Sequence, residues 1–189
     1  MSVVIFFATR EGHTCRVAEH IADALHDRGV AVDLFDVRQL RAPIDWTAYQ
    51  HACVAASVHF GHHEPEMVAF VRQHRPELER LSAAFISVTL SQTGAQNVHA
   101  SVDKRAAAAA DVQRMIDRFV TESGWKPAHV LPVAGALMYR QYNPLIRFMM
   151  KRIARKAGAP TDSSRNYDFT DWLVIDRFVE ERCCGHRKV

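Results

Sequence analysis

The chain of 189 residues is 48% apolar and 24% charged, with 24 Lys and Arg against 21 Asp and Glu for a net charge of +3. Such a composition supplies a real core and excludes a disordered, collagen-like or low-complexity chain. The charge excess is too small to argue for a nucleic-acid binder, and no run approaches the roughly 20 apolar residues of a membrane span. Cys15, Cys53, Cys183 and Cys184 form no CxxC pair, so a reducing, cytoplasmic setting is expected. The first residues carry neither a basic leader nor a small-residue cleavage site, so no signal peptide is expected.

Residues 3–8 are a continuous apolar run, as in a strand buried on both faces. From Thr14 the period turns helical, with Val17, Ile21 and Leu25 on one face and a stop at Gly29. Further strands are expected at 31–35, 51–57, 83–90 and 129–137, and helices at 66–73, 104–121 and 171–181. This alternation predicts an α/β fold, a doubly wound parallel sheet of five strands with right-handed crossovers. One domain is expected over 1–182, interrupted by a long insertion at 138–167, with 183–189 as a disordered tail.

Ligands of such sheets bind beyond the carboxyl ends of the strands. After the first strand comes Thr9-Arg10-Glu11-Gly12-His13-Thr14, leading straight into a helix. Hydroxyls at both ends, a glycine for close approach and free N–H groups at a helix N-terminus make a phosphate cradle. The loop is neither GxxxxGK[ST] nor GxGxxG, so a single phosphate is the economical ligand. Two more loops flank it, one from Ser57 to Glu64 and one from Thr89 to Gly94. In the first, Phe60 is placed to stack on a flat ring and Gly61 lets backbone approach the ring edge. His59 is the first candidate for proton transfer. His59, His62 and His63 share one short loop with no supporting cysteine, and no metal site is expected.

Thr9, Glu11, Gly12 and Thr14 match the T-x-[TDE]-G-x-T loop of the flavodoxin superfamily, which this sequence resembles. The resemblance implies flavin mononucleotide (FMN) held by its phosphate at Thr9, Arg10, Glu11, Gly12, His13 and Thr14. The ring would lie among Ser57, Val58, His59, Phe60, Gly61, Thr89, Leu90, Ser91 and Gln92. From residue 3 to about 182 the chain is similar to the quinone-dependent protoporphyrinogen oxidases of bacterial haem synthesis. Residues 8–14, 56–62, 84–88, 134–139 and 170–172 carry that similarity, with His59 and Phe60 standing where the family also has Arg and Tyr. It implies oxidation of protoporphyrinogen IX to protoporphyrin IX with electrons passed to menaquinone or ubiquinone.

Between Met138 and Gly158 stand six basic residues, Arg140, Arg147, Lys151, Arg152, Arg155 and Lys156, and no acid, which leaves the rest of the chain at −3. From Leu145 onward, Leu145, Ile146, Met149, Met150, Ile153, Ala154 and Ala157 cover one half of a helical wheel. Arg147, Lys151, Arg152 and Arg155 fall on or beside the other half. A basic amphipathic helix of this kind suits the headgroup region on the cytoplasmic face of the inner membrane, and its arginines suit the propionates of a tetrapyrrole. The same pattern fits a helix packed on its own domain or on a second copy in a homo-oligomer. An NAD(P)H:quinone reductase or a soluble electron-transfer flavodoxin of the same fold, or a flavin-free interaction domain, are the rival readings.

Overall fold

A strand that is apolar at every position has no face to give to water and needs cover on both sides. In the computed structural model, which describes residues 1–156 and 159–183, β1 (Ser2–Ala8) is that strand. Val3, Ile5 and Phe7 enter one core while Val4, Phe6 and Ala8 enter the other. The chain continues through α1 (His13–His26), β2 (Ala31–Asp36), β3 (His51–His59), β4 (His62–His63), α2 (Pro65–Gln73), α3 (Arg75–Arg80) and β5 (Ser82–Thr89). It then forms α4 (Leu90–Gln96), α5 (Val102–Ser123), β6 (His129–Ala134), β7 (Ala136–Leu137), α6 (Pro144–Lys156), β8 (Tyr167–Asp168) and α7 (Trp172–Phe178).

The main sheet has the order β2-β1-β3-β5-β6, every neighbouring pair parallel. Two buried layers sandwich it. On one face α1 contributes Val17, Ile21 and Leu25, and α7 contributes Ile175. On the other, Met67 and Val71 of α2, Leu78 of α3 and Phe119 of α5 pack with Trp125. All loops that read as ligand-binding in the sequence leave the same edge of this sheet.

Three expectations need correction. The strand read at 83–90 stops at Thr89, because the Thr89 hydroxyl caps α4 by accepting from Ser91 N–H, and Leu90 already belongs to that helix. The strand read at 129–137 breaks at Gly135, which sits so close to Thr89 that a Cβ would meet its carbonyl carbon at 3.4 Å. Ala136 and Leu137 leave the main sheet and pair antiparallel with Asp168 and Tyr167. The last helix, read over 171–181, begins at Trp172 with the Asp171 side chain capping Val174 N–H, and widens into a different turn at Val179–Cys183. Most of the tail read at 183–189, and Ala157 of the helical wheel, lie outside the described residues.

Candidate functional site

The loop between β1 and α1 turns on Gly12, whose φ of +82° is a left-handed conformation that a side chain would strain. Gly12 N–H donates to Thr9 Oγ1 at 3.0 Å. No side chain caps α1, so its first N–H groups face the loop with the positive end of the helix dipole behind them. Thr14, fully buried, has its hydroxyl oxygen without a partner, and so has Nδ1 of buried His13. Orphaned polar atoms at an open helix N-terminus are what an anion would satisfy.

The second loop is a hairpin. Val58 pairs with His63 and His59 with His62, leaving Phe60 and Gly61 as a two-residue turn at φ +53° and +77°. Both angles are positive, as the tightest hairpins require, and for a ring as large as Phe60 this costs backbone strain. Arg118 of α5 pins the turn by donating to the Gly61 carbonyl at 3.0 Å. The Phe60 ring is 75% exposed, held out from the edge of the sheet rather than packed into it.

A charged cluster joins the two loops. Glu64, whose side chain is 1% exposed, accepts from Arg10 Nε at 2.9 Å and from the Ser57 hydroxyl at 3.0 Å. His59 Nε2 lies 3.1 Å from Glu64 Oε1 and 3.4 Å from Glu11 Oε2. Burial alone would push the Glu64 carboxyl up, but contacts with His59, Arg10 and Ser57 outweigh it and hold the group below the usual carboxylate range. Arg10 is therefore drawn across to the second loop, and the imidazole of His59 stands between two carboxylates at the rim.

These elements enclose a cavity of about 310 Å³, at the lower end of the roughly 300–1,000 Å³ of small-molecule clefts. Of the residues singled out in the sequence, Thr9, Arg10, Glu11, His13, Thr14, Ser57, Val58, His59, Phe60, Gly61, Thr89, Leu90 and Ser91 line it together. Gly12 shapes the loop without lining the cavity, and Gln92 of α4 does not line it either. Arg10, His59 and Phe60 also form a wall of a second hollow of about 450 Å³ that opens on the α2 side.

The roof of the cavity is the surprise. Ile146, Met149, Met150 and Ile153 of α6 line it, so much of the apolar stripe borders the cavity, with Ile146 and Ile153 still 36% and 42% exposed. Arg147, read on the solvated side, is turned in as well and donates to the carbonyls of Tyr139 and Tyr142, each at 3.1 Å. Arg140, Arg152 and Arg155 stay exposed and Lys151 is half-buried. The outward face carries Leu145 and Phe148, 78% and 62% exposed, beside Arg152 and Arg155. Sequence reasoning passed over Met115, Met138 and Tyr142 of the cavity and Glu64 of the charged cluster beside it. Only Glu64 left a signal, a lone carboxylate closing a histidine-rich loop just before Pro65 opens a helix.

A family model for the flavodoxin domain matches residues 4–164. The chain belongs to the flavodoxin-domain family. Among its curated relatives, protoporphyrinogen IX dehydrogenase (quinone) of Escherichia coli (strain K12) is 31% identical over 96% of this chain and 94% of that protein. The protein of the same name from Leishmania major is 30% identical, covering 94% of this chain and 73% of that one. Among solved structures, oxidised flavodoxin 1 from Bacillus cereus superposes with a TM-score of 0.51 at 14% identity, over 98% of this chain and 99% of that chain. That likeness concerns the fold. Among the described residues no helix is long and apolar enough to cross a membrane.

Proposed function

We propose that this flavodoxin-family protein binds FMN and oxidises protoporphyrinogen IX to protoporphyrin IX, passing the electrons to a membrane quinone, menaquinone or ubiquinone. One observation carries the reading: a single cavity runs from an uncapped helix N-terminus with two orphaned polar atoms to a strained, outward-held Phe60, under a roof of Ile146, Met149, Met150 and Ile153. Its two ends differ as the two ends of a flavin mononucleotide differ. The kinship with dehydrogenases of that name supports the choice of substrate and acceptor.

Thr9, Gly12, His13 and Thr14 would hold the phosphate, and the loops at Ser57–Gly61 and Thr89–Ser91 would hold the ring. Bound flavin supplies two-electron redox chemistry, which side chains lack. Phe60 offers an aromatic face to a flat substrate. His59, held by Glu11 and Glu64, is placed to take or give a proton at the rim. Met149 and Met150 of the roof give it a flexible surface that adapts to an apolar guest.

The same reading treats 1–182 as one unit with 138–167 as its cap. It places the protein peripherally on the cytoplasmic face of the inner membrane, with Leu145, Phe148, Arg152 and Arg155 turned to anionic lipid. The test is to mix purified, FMN-loaded protein with protoporphyrinogen IX and a soluble quinone and follow porphyrin fluorescence without oxygen. Quinone-dependent fluorescence is expected. Rapid quinone reduction by NADH with no porphyrin formed would turn the reading to an NAD(P)H:quinone reductase.

A further inference from the structure

His13 is unusual among the loop residues because its two ring nitrogens have different fates. Nε2 lies 2.9 Å from the Thr170 hydroxyl oxygen, and that hydroxyl gives its single proton to the Ala134 carbonyl at 3.0 Å. A carbonyl only accepts, so Thr170 Oγ1 has only lone pairs left for the ring, and Nε2 carries the ring proton. In the neutral ring Nδ1 is then a bare lone pair, and it is buried without any partner. The neighbouring Thr14 hydroxyl is also without one. Both residues line the cavity where the 14-residue helix α1 begins, and they are 6% and 0% exposed.

A bare lone pair opposes an oxyanion, whereas a protonated Nδ1 would be a charge-assisted donor to it. We propose that His13 is the proton-accepting ligand of a phosphate monoester dianion at the start of α1. The ester binds together with one proton, which settles on Nδ1 while Nε2–H stays on Thr170. His13 thereby selects a phosphorylated flavin over one that lacks the phosphate. This rests on the flavin reading above and adds to it the protonation state of the binding site.

The groups facing the ring are few. Asp168 on β8 has Oδ1 3.9 Å from Nε2, and Arg16 on α1 is held by that same carboxylate at 3.3 Å. Trp172 of α7 presents its ring edge-on at 6.3 Å, uncharged. The Ala134 carbonyl also lies within hydrogen-bonding reach of the ring; with no ester, burial holds the imidazole below its ordinary range, Asp168 pulling it up, Arg16 pushing it down and the Ala134 carbonyl pulling it up by less. With the ring held below its ordinary range the bare imidazole has no Nδ1 proton to give, and the incoming dianion brings one with it. Binding must then weaken as pH rises, about tenfold per unit for as long as the ring stays charged in the complex. Measurements above pH ~6.5 keep clear of the ester's own second ionisation near 6.

Calorimetry of the full chain, stripped of flavin, in buffers of different ionisation enthalpy counts the protons taken up. FMN is expected to bring close to one proton at pH 7, and riboflavin, which shares ring and side chain but has no phosphate, none. His13→Gln is expected to abolish the uptake and weaken FMN about tenfold while leaving riboflavin affinity unchanged, which also shows that the variant is folded. In the FMN-loaded wild type, imidazole nitrogen NMR should find both ring nitrogens of His13 protonated at pH 7, a readout that needs no variant. Equal uptake for the two flavins, no uptake with FMN, or uptake that survives in His13→Gln overturns the proposal. Failure to bind either flavin overturns the flavin reading itself, and the role of His13 with it.

Discussion

The sheet and the insertion bury their apolar residues in different ways. The central strands β1, β3 and β5 are covered on both faces by helices, some next to them in the chain and some far along it, so two cores tie the frame together. The 138–167 segment instead packs on a small core made almost entirely from itself, with Leu137, Met138, Tyr139, Tyr142 and Ala154 at its centre. Hydrogen bonds help hold it, among them Arg147 to two carbonyls, Tyr139 hydroxyl to Pro160 O at 2.9 Å, and, just beyond it, Phe169 N–H to Gly135 O at 3.3 Å. The candidate site lies between the two. Its phosphate end belongs to the frame and its apolar roof to the cap, so the roof is free to loosen at a cost well below global unfolding.

The largest effects should therefore come from the frame. Phe119 is fully buried and stacked on Phe85 with centroids 4.0 Å apart. Phe119→Ala should cost about 3–5 kcal/mol of global stability, seen as a lower denaturant midpoint reported alike by all probes. A variant that loosened only the cap would contradict the division drawn here.

The frame also carries an acid-sensitive group. His63 packs edge-on against Phe85 and Phe119 and hydrogen-bonds Ser87 Oγ at 2.9 Å. Burial lowers its pKa to about 3, Glu64 pulling it up and His62 down by less. Well above pH 6.5 the ring is neutral folded or unfolded and contributes nothing to pH dependence. Below that, the unfolded chain takes a proton that the native ring refuses, so stability falls with pH, by on the order of 4 kcal/mol between pH 7 and 3. Glu64, already below the usual carboxylate range, cannot supply the upper part of that loss. Replacing the pair by His63→Phe with Ser87→Ala should flatten urea-unfolding stability between pH 6.5 and 4.5; an unchanged slope would assign it to other groups.

The difference between frame and cap also decides what the sequence made legible. Frame elements are buried along one face or both and so carry their own periodicity: β1 reads as an unbroken apolar run and α1 as a clean helical stripe, and the phosphate loop follows as the link between them. The cavity residues from the first two loops were readable for the same reason. What escaped depends on placement across long separations. Glu64 matters because Arg10 reaches it from another loop, and Thr170 because His13 meets it across 157 positions in the chain. The helix α6 was legible as amphipathic, but nothing in a helical wheel says which side meets the protein. The stripe of Ile146, Met149 and Ile153 borders the cavity while Ile146 and Ile153 keep part of their surface in solvent, and Arg147 donates to the Tyr139 and Tyr142 carbonyls.

A smaller, local effect is expected from the cap. Arg147→Met keeps the length of the side chain but leaves the Tyr139 and Tyr142 carbonyls without their donor, at about 1–2 kcal/mol. Because the cap is nearly self-contained, that loss should surface as faster amide exchange confined to residues 138–167. The global unfolding midpoint should stay where it is. Exchange that accelerated equally in β1 and β3 would mean that frame and cap unfold as one.

The smallest effect on stability should come from the outward face of α6. Leu145, Phe148, Arg152 and Arg155 are exposed, so substitutions there should change stability by no more than about 0.5 kcal/mol. If the face meets anionic lipid, each cation near the surface contributes about 1 kcal/mol of attraction. Arg152→Gln with Arg155→Gln should then weaken co-sedimentation with phosphatidylglycerol vesicles roughly 30-fold, since 1.4 kcal/mol is a factor of ten. Raising the salt should mimic the substitutions, because exposed charges are screened. Leu145→Ser with Phe148→Ser should lower binding at every salt concentration, as apolar insertion is not screened. Vesicle binding that ignored all four changes would leave this face as solvated surface and the cap as a roof alone.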